Sequence, residues 1–437
     1  MGGPAERLSA VTSVPMRAWI IALAAGLGLV LQPSPAQAVN ASDVAPCRPN
    51  MPQELRTFPG LFTVHVVCDH VLYEIPPAML GRDMLLNTEF AGLSAGTETL
   101  APGTLVENRL VRWIRRGNKV YLEAVHYEMW AGDIPGLQRG VEAASVRPVV
   151  KAFEAVAEGK DGAPIIDVTG LFVTDVPEGF AQEFKNYFQM AASDPKRSYI
   201  YSVKAFPRNV EIRYFQTWTA DPRALAKSYE SGRMPIPASL GFLFHTSMLL
   251  LPEQPMVGRY SDPRVGYFEV SFDDYGTTEH RAVKRGFITR YRLEKKHPEQ
   301  PLSEPVQPIV FYMSREVPDK WRPWLKKGIE AWQAPFERAG FRNAIVVREA
   351  PTAEQDPDWD PEDVRYSVIR WTPSPRENAM GPAVTDPRSG EVISSHALVW
   401  NDVLRLAEMW YFTQASPLDP RAQKLPLPDD LMGEVLS

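Results

Sequence analysis

Cysteine is nearly absent from this chain: of 437 residues only Cys47 and Cys68 carry a thiol. So few thiols rule out a disulfide-dense scaffold, and no Cys-x-x-Cys pair is present for zinc or redox chemistry. Concentrated positive charge is missing too. Lys and Arg total 47 against 53 Asp and Glu, a formal net charge of −6. That is the wrong sign for a surface that must neutralise phosphates, so no nucleic-acid partner is expected. There is no P-loop, no Gly-rich dinucleotide fingerprint and no internal repeat. After Ala38 no run is apolar enough to span a bilayer.

What is present fits a folded, exported protein. Apolar residues make up 44% and charged residues 23%, ordinary values for a chain with a sizeable core. The length suggests two or three domains, and the 41 prolines favour turns and short strands over long helices. Arg7 and Arg17 precede an apolar stretch, Ala18 to Leu31, and Ala36-Gln37-Ala38 supplies small residues at a cleavage site. This pattern predicts a signal peptide over residues 1–38 and a periplasmic or extracellular protein, with no membrane anchor after cleavage. Met16 is an alternative start. A permanent anchor is the weaker reading, because the apolar run falls short of the roughly 20 residues a bilayer requires. In an oxidising compartment Cys47 and Cys68 read as one disulfide, the alternative being two unrelated thiols.

Periodicity divides the rest. Leu61 to Val67 and His70 to Ile75 flank a Cys68-Asp69 tip and predict a hairpin within a small N-terminal β domain, residues 39–100. A β-rich middle domain, 101–293, follows. Its predicted strands include Leu110–Arg115, Lys119–His126, Val210–Thr217 and Leu240–Leu251, with one helix near Phe180 to Phe188. The charged, Pro-rich stretch Glu294 to Pro308 reads as a linker. From residue 309 to 437 the order is strand, helix, strands, helix, an α/β layout around a small mixed sheet. Trp321, Trp324, Leu325, Ile329, Trp332 and Phe336 share one helical face and predict a core-covering helix, kinked near Ala331 to Pro335.

Several segments then carry a family resemblance. They are Phe311–Met313, Gly328 to Trp332, Ala339 to Ala344, Asp360 to Ser367, Ile369 to Trp371, Gly381-Pro382, Asp386 to Glu391 and Leu431 to Glu434. Together with Leu61 to Val64 and Glu74 to Pro77 they resemble the large bacterial zinc-dependent metalloproteases, in which two uncharacterised N-terminal domains precede a metzincin-type catalytic domain. The resemblance implies an α+β fold: a β-rich N-terminal region followed by an incomplete zincin-like α/β domain, its mixed sheet packed by an amphipathic helix. It also implies a peptide or protein substrate and zinc as cofactor. The family's His-Glu-x-x-His helix binds zinc through two histidines one turn apart, while the Glu takes a proton from zinc-bound water. None of the seven histidines here, His65, His70, His126, His245, His280, His297 and His396, forms that motif. Zinc is therefore implied by the family with no ligands in these residues. The expectation is an N-terminal portion that does not hydrolyse peptides by itself; the alternative is a non-catalytic exported β-rich binding or scaffold protein. Asp429 to Ser437 would open the missing helix, and so short a helix is expected to fray.

No catalytic or metal-binding residue is assigned. The resemblance makes Ser394, Ser395, His396, Ala397 and Leu398 the edge strand that pairs with substrate backbone, a plain structural edge being the alternative. Adjacent Ser395 and His396 point to opposite faces of a strand, which disfavours serine catalysis. His65, Cys68, Asp69 and His70 read as ordinary hairpin residues. Asp356, Asp358 and Asp360 read as a solvated acidic turn, since Pro361 stands where a calcium loop needs Gly.

Overall fold

The computed structural model describes residues 39–40, 55–93, 102–131, 134–176, 182–230, 237–374 and 376–437. The expected signal peptide and Cys47 lie outside the described residues. In chain order the first strands are β1 (Val39–Asn40), β2 (Leu55–Phe58), β3 (Thr63–Val67), β4 (His70–Glu74), β5 (Met84–Leu93), β6 (Leu105–Arg116) and β7 (Lys119–Ala124). Next come β8 (Met129–Trp130), β9 (Val149–Glu158), β10 (Pro164–Asp167), β11 (Met190–Ala205), β12 (Asn209–Ala220), β13 (Ser239–Leu250), β14 (Glu269–Asp274) and β15 (Val283–Ile288). The last are β16 (Ile309–Met313), β17 (Ile345–Glu349), β18 (Ser367–Thr372), β19 (Ala379–Met380), β20 (Ala383–Asp386) and β21 (Glu391–Trp400). The helices are α1 (Pro135–Ala144), α2 (Thr169–Val173), α3 (Gln182–Phe188), α4 (Pro222–Glu230), α5 (Arg322–Glu330), α6 (Gln333–Arg338), α7 (Val403–Ala415) and α8 (Asp429–Leu436).

Tight turns start the main sheet. Arg116 pairs with Lys119 around Gly117 and Asn118. Gly117 sits at φ 61°, the left-handed conformation that lets a two-residue loop match strand twist. Val67 likewise pairs with His70, so the expected hairpin forms, with Cys68 at φ 57°. Hairpins of this kind and longer crossovers build a twelve-stranded antiparallel sheet in the order β1-β11-β12-β13-β5-β6-β7-β9-β10-β4-β3-β2. Its twist brings the two ends together. The Leu61 N–H donates to the Phe206 carbonyl at 2.7 Å, linking the β2–β3 turn to the β11–β12 turn. Gly60 allows that approach, since a Cβ there would lie 2.8 Å from the Phe206 nitrogen. The curled sheet encloses Phe62, Tyr73, Phe90, Trp113, Trp218, Phe242 and Phe244. Trp113 is fully buried, with its ring 6.4 Å from Phe62 and its indole N–H donating to Met248 Sδ at 3.2 Å.

A three-stranded sheet, β15-β14-β8, stands beside the large one, and a six-stranded sheet closes the chain. In the latter β17-β16-β18-β21 run parallel, and β19 and β20 add antiparallel to β21. The expected fold class is corrected here. Strand accounts for 41% of the structure and helix for 21%, and the nearly closed antiparallel sheet dominates. The C-terminal third does not form the zincin-like α/β domain with one packed helix that the resemblance implied. Local periodicity shows which segments are strands, but closure of a sheet depends on pairings between residues far apart in sequence. The predicted Trp-bearing helix breaks at Ala331 and Trp332 into α5 and α6. Trp321 is buried as expected, whereas Trp332 is 61% exposed.

Two further segments differ from expectation. Glu294 to Pro308 folds back on itself instead of running as a tether: Val306 N–H donates to Glu294 O, and Ser303 is buried. The segment expected to fray is helix α8, which buries Leu431 and Met432 against α5 and α7. Packing of an apolar face replaces the propensity that so short a helix lacks. Gly433 lies against the Trp324 ring with no room for a Cβ.

Truncating a fully enclosed aromatic removes packing that neighbours cannot recover. Trp113→Ala is expected to lower stability by about 3–5 kcal/mol, and Trp332→Ala to change it by less than about 0.5 kcal/mol. Urea unfolding of the two variants beside the wild type checks this contrast.

Candidate functional site at the junction of the two large sheets

Strand alternation sends Val210, Ile212 and Tyr214 of β12 into the main core, and Glu211 and Arg213 to the opposite face. The same alternation turns Glu89 of β5 and His245 of β13 outward. Registers align Arg213, His245 and Glu89 across three strands, with Glu211 opposite Ser247. His245 Nδ1 lies 3.1 Å from Glu89 Oε1, and Nε2 lies 2.7 Å from Glu211 Oε2. Two acidic side chains flank the ring nitrogens, an arrangement that favours the imidazolium. Burial works against that charge, but the bonds to Glu211 and Glu89 outweigh it and push the pKa up to about 10. Burial raises the Glu211 carboxyl despite its bonds to His245 and Ser247. Glu89 is also burdened by burial, yet its His245 bond brings it below the usual range.

The C-terminal third covers this charged face. Glu362, in the loop between β17 and β18, pairs with Arg213 and lies 2.9 Å from Lys204 Nζ. Burial opposes its charge, but His245, Lys204 and Arg213 hold it ionised, well below the ordinary glutamate pKa. Lys204 also binds Asp360 at 2.8 Å. Asn209 holds the loop backbone, donating to Glu362 O at 2.8 Å and accepting from Val364 N–H at 3.1 Å. Leu85, Leu110, Leu249, Leu251 and Val364 form an apolar cluster beside these pairs. The acidic turn is thus only partly solvated. Asp358 is exposed, whereas Asp360 and Glu362 reach back to the antiparallel sheet.

A pocket of about 110 Å³ lies at the junction, lined among others by Glu89, Glu211, His245, Glu362, Ser394 and His396. Ser394 and His396 share one face of β21, and Ser394 Oγ and His396 Nε2 are buried without hydrogen-bond partners. Burial, reinforced by the Arg370 charge, holds the His396 pKa down to about 4. Ser395 faces the other way, its hydroxyl donating to Pro382 O at 3.1 Å and its N–H to Ser367 Oγ at 3.0 Å. No serine–histidine hydrogen bond forms at Ser394, Ser395 or His396. The strand Ser394 to Leu398 is not an open edge: β18 pairs along one side, β20 and β19 along the other, and His396 N–H donates to Pro382 O at 3.0 Å. The pocket therefore offers a neutral imidazole and a hydroxyl to a small polar guest, beside an internally balanced ionic cluster.

Zinc, implied by the resemblance, does not fit these residues. Among the described residues no three His, Cys, Asp or Glu side chains are arranged to hold a metal ion. The His245 cluster comes nearest in composition, yet both its ring nitrogens face carboxylates and Lys204 and Arg213 neutralise the rest. The hairpin residues are dispersed as well. His65 pairs with Glu74 at 3.1 Å, His70 with Asp167 at 2.8 Å, and Cys68 is disulfide-bonded. Sequence reasoning missed Glu89, Glu211, His245 and Glu362. The available signal was charge at outward positions of apolar strands, as in Val210-Glu211-Ile212-Arg213, which by itself reads as a solvated face.

Removing the imidazolium leaves buried carboxylates uncompensated, so His245→Gln is expected to cost about 3–5 kcal/mol. The sign with pH follows from a folded-state pKa raised from 6.5 to about 10. The wild-type advantage is full below pH 6.5 and fades as pH rises towards 10. Denaturant unfolding of both proteins across that range checks it.

Residues 103–296 match the family model described as Domain of unknown function (DUF5117), and residues 52–93 match Domain of unknown function (DUF5118). No curated protein and no solved structure matches the chain. The shorter match spans β2 to β5 and includes Glu89; the longer spans β6 to β15 and includes Glu211 and His245. Glu362 and His396 lie beyond both. The junction thus joins strands from two recognised domains of unknown function to a C-terminal segment outside either match, and both matches are compatible with the metalloprotease resemblance without naming an activity.

Proposed function

We propose that these residues form a non-catalytic part of an exported zinc-dependent metallopeptidase. The observation that carries the reading is the series of family-like segments from Phe311 to Glu434, together with those at Leu61 to Val64 and Glu74 to Pro77. Two N-terminal domains without assigned function are also what that family places ahead of its catalytic domain, and two such matches occupy the corresponding part of this chain. On this reading the zinc ligands and the general base come from residues other than these 437. A peptide substrate lies along the β19–β20 side of the last sheet, where Ala379 and Met380 are exposed, and Ser394 to Leu398 support that side from beneath.

A second reading, an exported β-rich binding or scaffold protein, is favoured by the docked α8, whose Leu431 and Met432 are buried against α5 and α7 without any zinc-site residue. One pair of measurements separates the two. The purified 437-residue protein, given fluorescently labelled casein and zinc, is expected to show no turnover. Hydrolysis that a chelator abolishes and zinc restores would overturn the non-catalytic assignment. Nucleotide sequence adjoining the coding region is expected to encode His-Glu-x-x-His with a third His. Its absence in every frame would favour the binding reading.

A further inference from the structure

A second cavity, of about 340 Å³, lies between the Val125–Trp130 segment, α1 and the three-stranded sheet. Its size falls at the lower end of small-molecule sites. One wall is aromatic: Trp130 meets Phe272 edge-on at 5.2 Å and Phe287 at 5.8 Å. Most polar groups around it are already engaged. Arg388 binds Asp386, Asp83 and Pro252 O. Tyr127 donates to Asp83 at 2.6 Å and accepts from Arg112. Gln138 accepts from Ala131 N–H and donates to Glu142.

Three other lining groups bear on recognition. Ser145 Oγ is buried without a partner. Arg147 and Glu142 both line the cavity, and neither has an ion-pair partner among the described residues. They are not paired with each other, although five residues of sequence separate them. A cavity with an aromatic wall, and with a cation and an anion at its rim that have no ion-pair partner among the described residues, matches a ligand carrying both charges and a flat apolar body.

We propose that this cavity binds a free amino acid with an aromatic side chain, its carboxylate on Arg147, its ammonium on Glu142 and its ring against Trp130 and Phe287. Ser145 Oγ donates to the carboxylate. The site is separate from the junction pocket and does not depend on the peptidase reading.

The test uses the whole chain with L-phenylalanine, N-acetyl-L-phenylalanine and L-phenylalaninamide, followed by saturation-transfer NMR and calorimetry. Losing one charge-assisted hydrogen bond weakens binding by about tenfold or more. L-Phenylalanine is therefore expected to bind saturably, and each single-charge analogue at least about tenfold more weakly. Arg147→Gln is expected to erase the preference for the free carboxylate while keeping the preference for the ammonium, and Glu142→Gln to do the reverse. Both positions are exposed, so both variants are expected to melt as the wild type does. Absence of saturable binding, equal binding of all three compounds, or unchanged preferences in both variants would overturn the proposal.

Discussion

The imidazolium of His245 is the interaction on which the junction depends. Its two nitrogens hold Glu89 and Glu211, and its charge helps keep Glu362 ionised in a loop more than 100 residues away in sequence. Buried charges are costly unless each is compensated, and removing one partner leaves the others exposed to the full desolvation penalty. The cluster therefore behaves as a unit. Lys204, Arg213 and His245 supply the positive side, and Glu89, Glu362 and Asp360 the negative side, with Glu211 biased towards its neutral form by burial. Such a set fits only one placement of the Asp360 to Val364 loop on β11, β12 and β13. The neighbouring leucines contribute burial without specifying that placement.

This explains why β12 is buried along almost its whole length. In a sheet with one wet face, alternate residues would be exposed. Here the inward residues fill the curled core, outward Glu211 and Arg213 meet Glu362 of the C-terminal third, and Phe215 and Thr217 are covered by β11. The middle strands of the antiparallel sheet thus carry a polar layer between two apolar ones. Asn209 completes it by hydrogen-bonding to both Glu362 O and Val364 N–H, so the loop's backbone groups are satisfied where water is excluded.

Much of the local architecture was legible from residue order. The Cys68-Asp69 turn, the strands expected at Val210–Thr217 and Leu240–Leu251, which lie within or overlap Asn209–Ala220 and Ser239–Leu250, and the helix break at Ala331 follow from turn chemistry and periodicity. The closure of the main sheet was not legible, because the Leu61-to-Phe206 bond joins residues with no shared local pattern. Trp332 shows the same limit on a smaller scale. It fits the helical stripe, but the break at Ala331 rotates it away from the sheet. The candidate site was least legible. Glu211 and His245 occupy positions that alternation assigns to solvent, and only a third layer from residues 309–437 turns that face into an interior. The expected substrate strand failed as an open edge for a related reason: β19 and β20 return to pair with β21 after a Pro-rich loop whose path periodicity does not describe.

The two histidines of the junction take opposite states, and the charge on His245 contributes to the neutrality of His396. His245 lies between carboxylates, so its proton is retained. His396 faces the same pocket but lies near Arg370 and the charged His245, so a second cation there would be repelled as well as desolvated. At neutral pH the pocket consequently has a fixed proton on one ring and one neutral ring, with neither histidine close to its titration point. A neutral Nε2 and an unpartnered Ser394 hydroxyl are suited to hydrogen-bonding a polar guest. The electrostatics that join the sheets thereby also set the charge pattern facing the pocket: a cation held among carboxyl groups on one wall, and neutral donors and acceptors on the other.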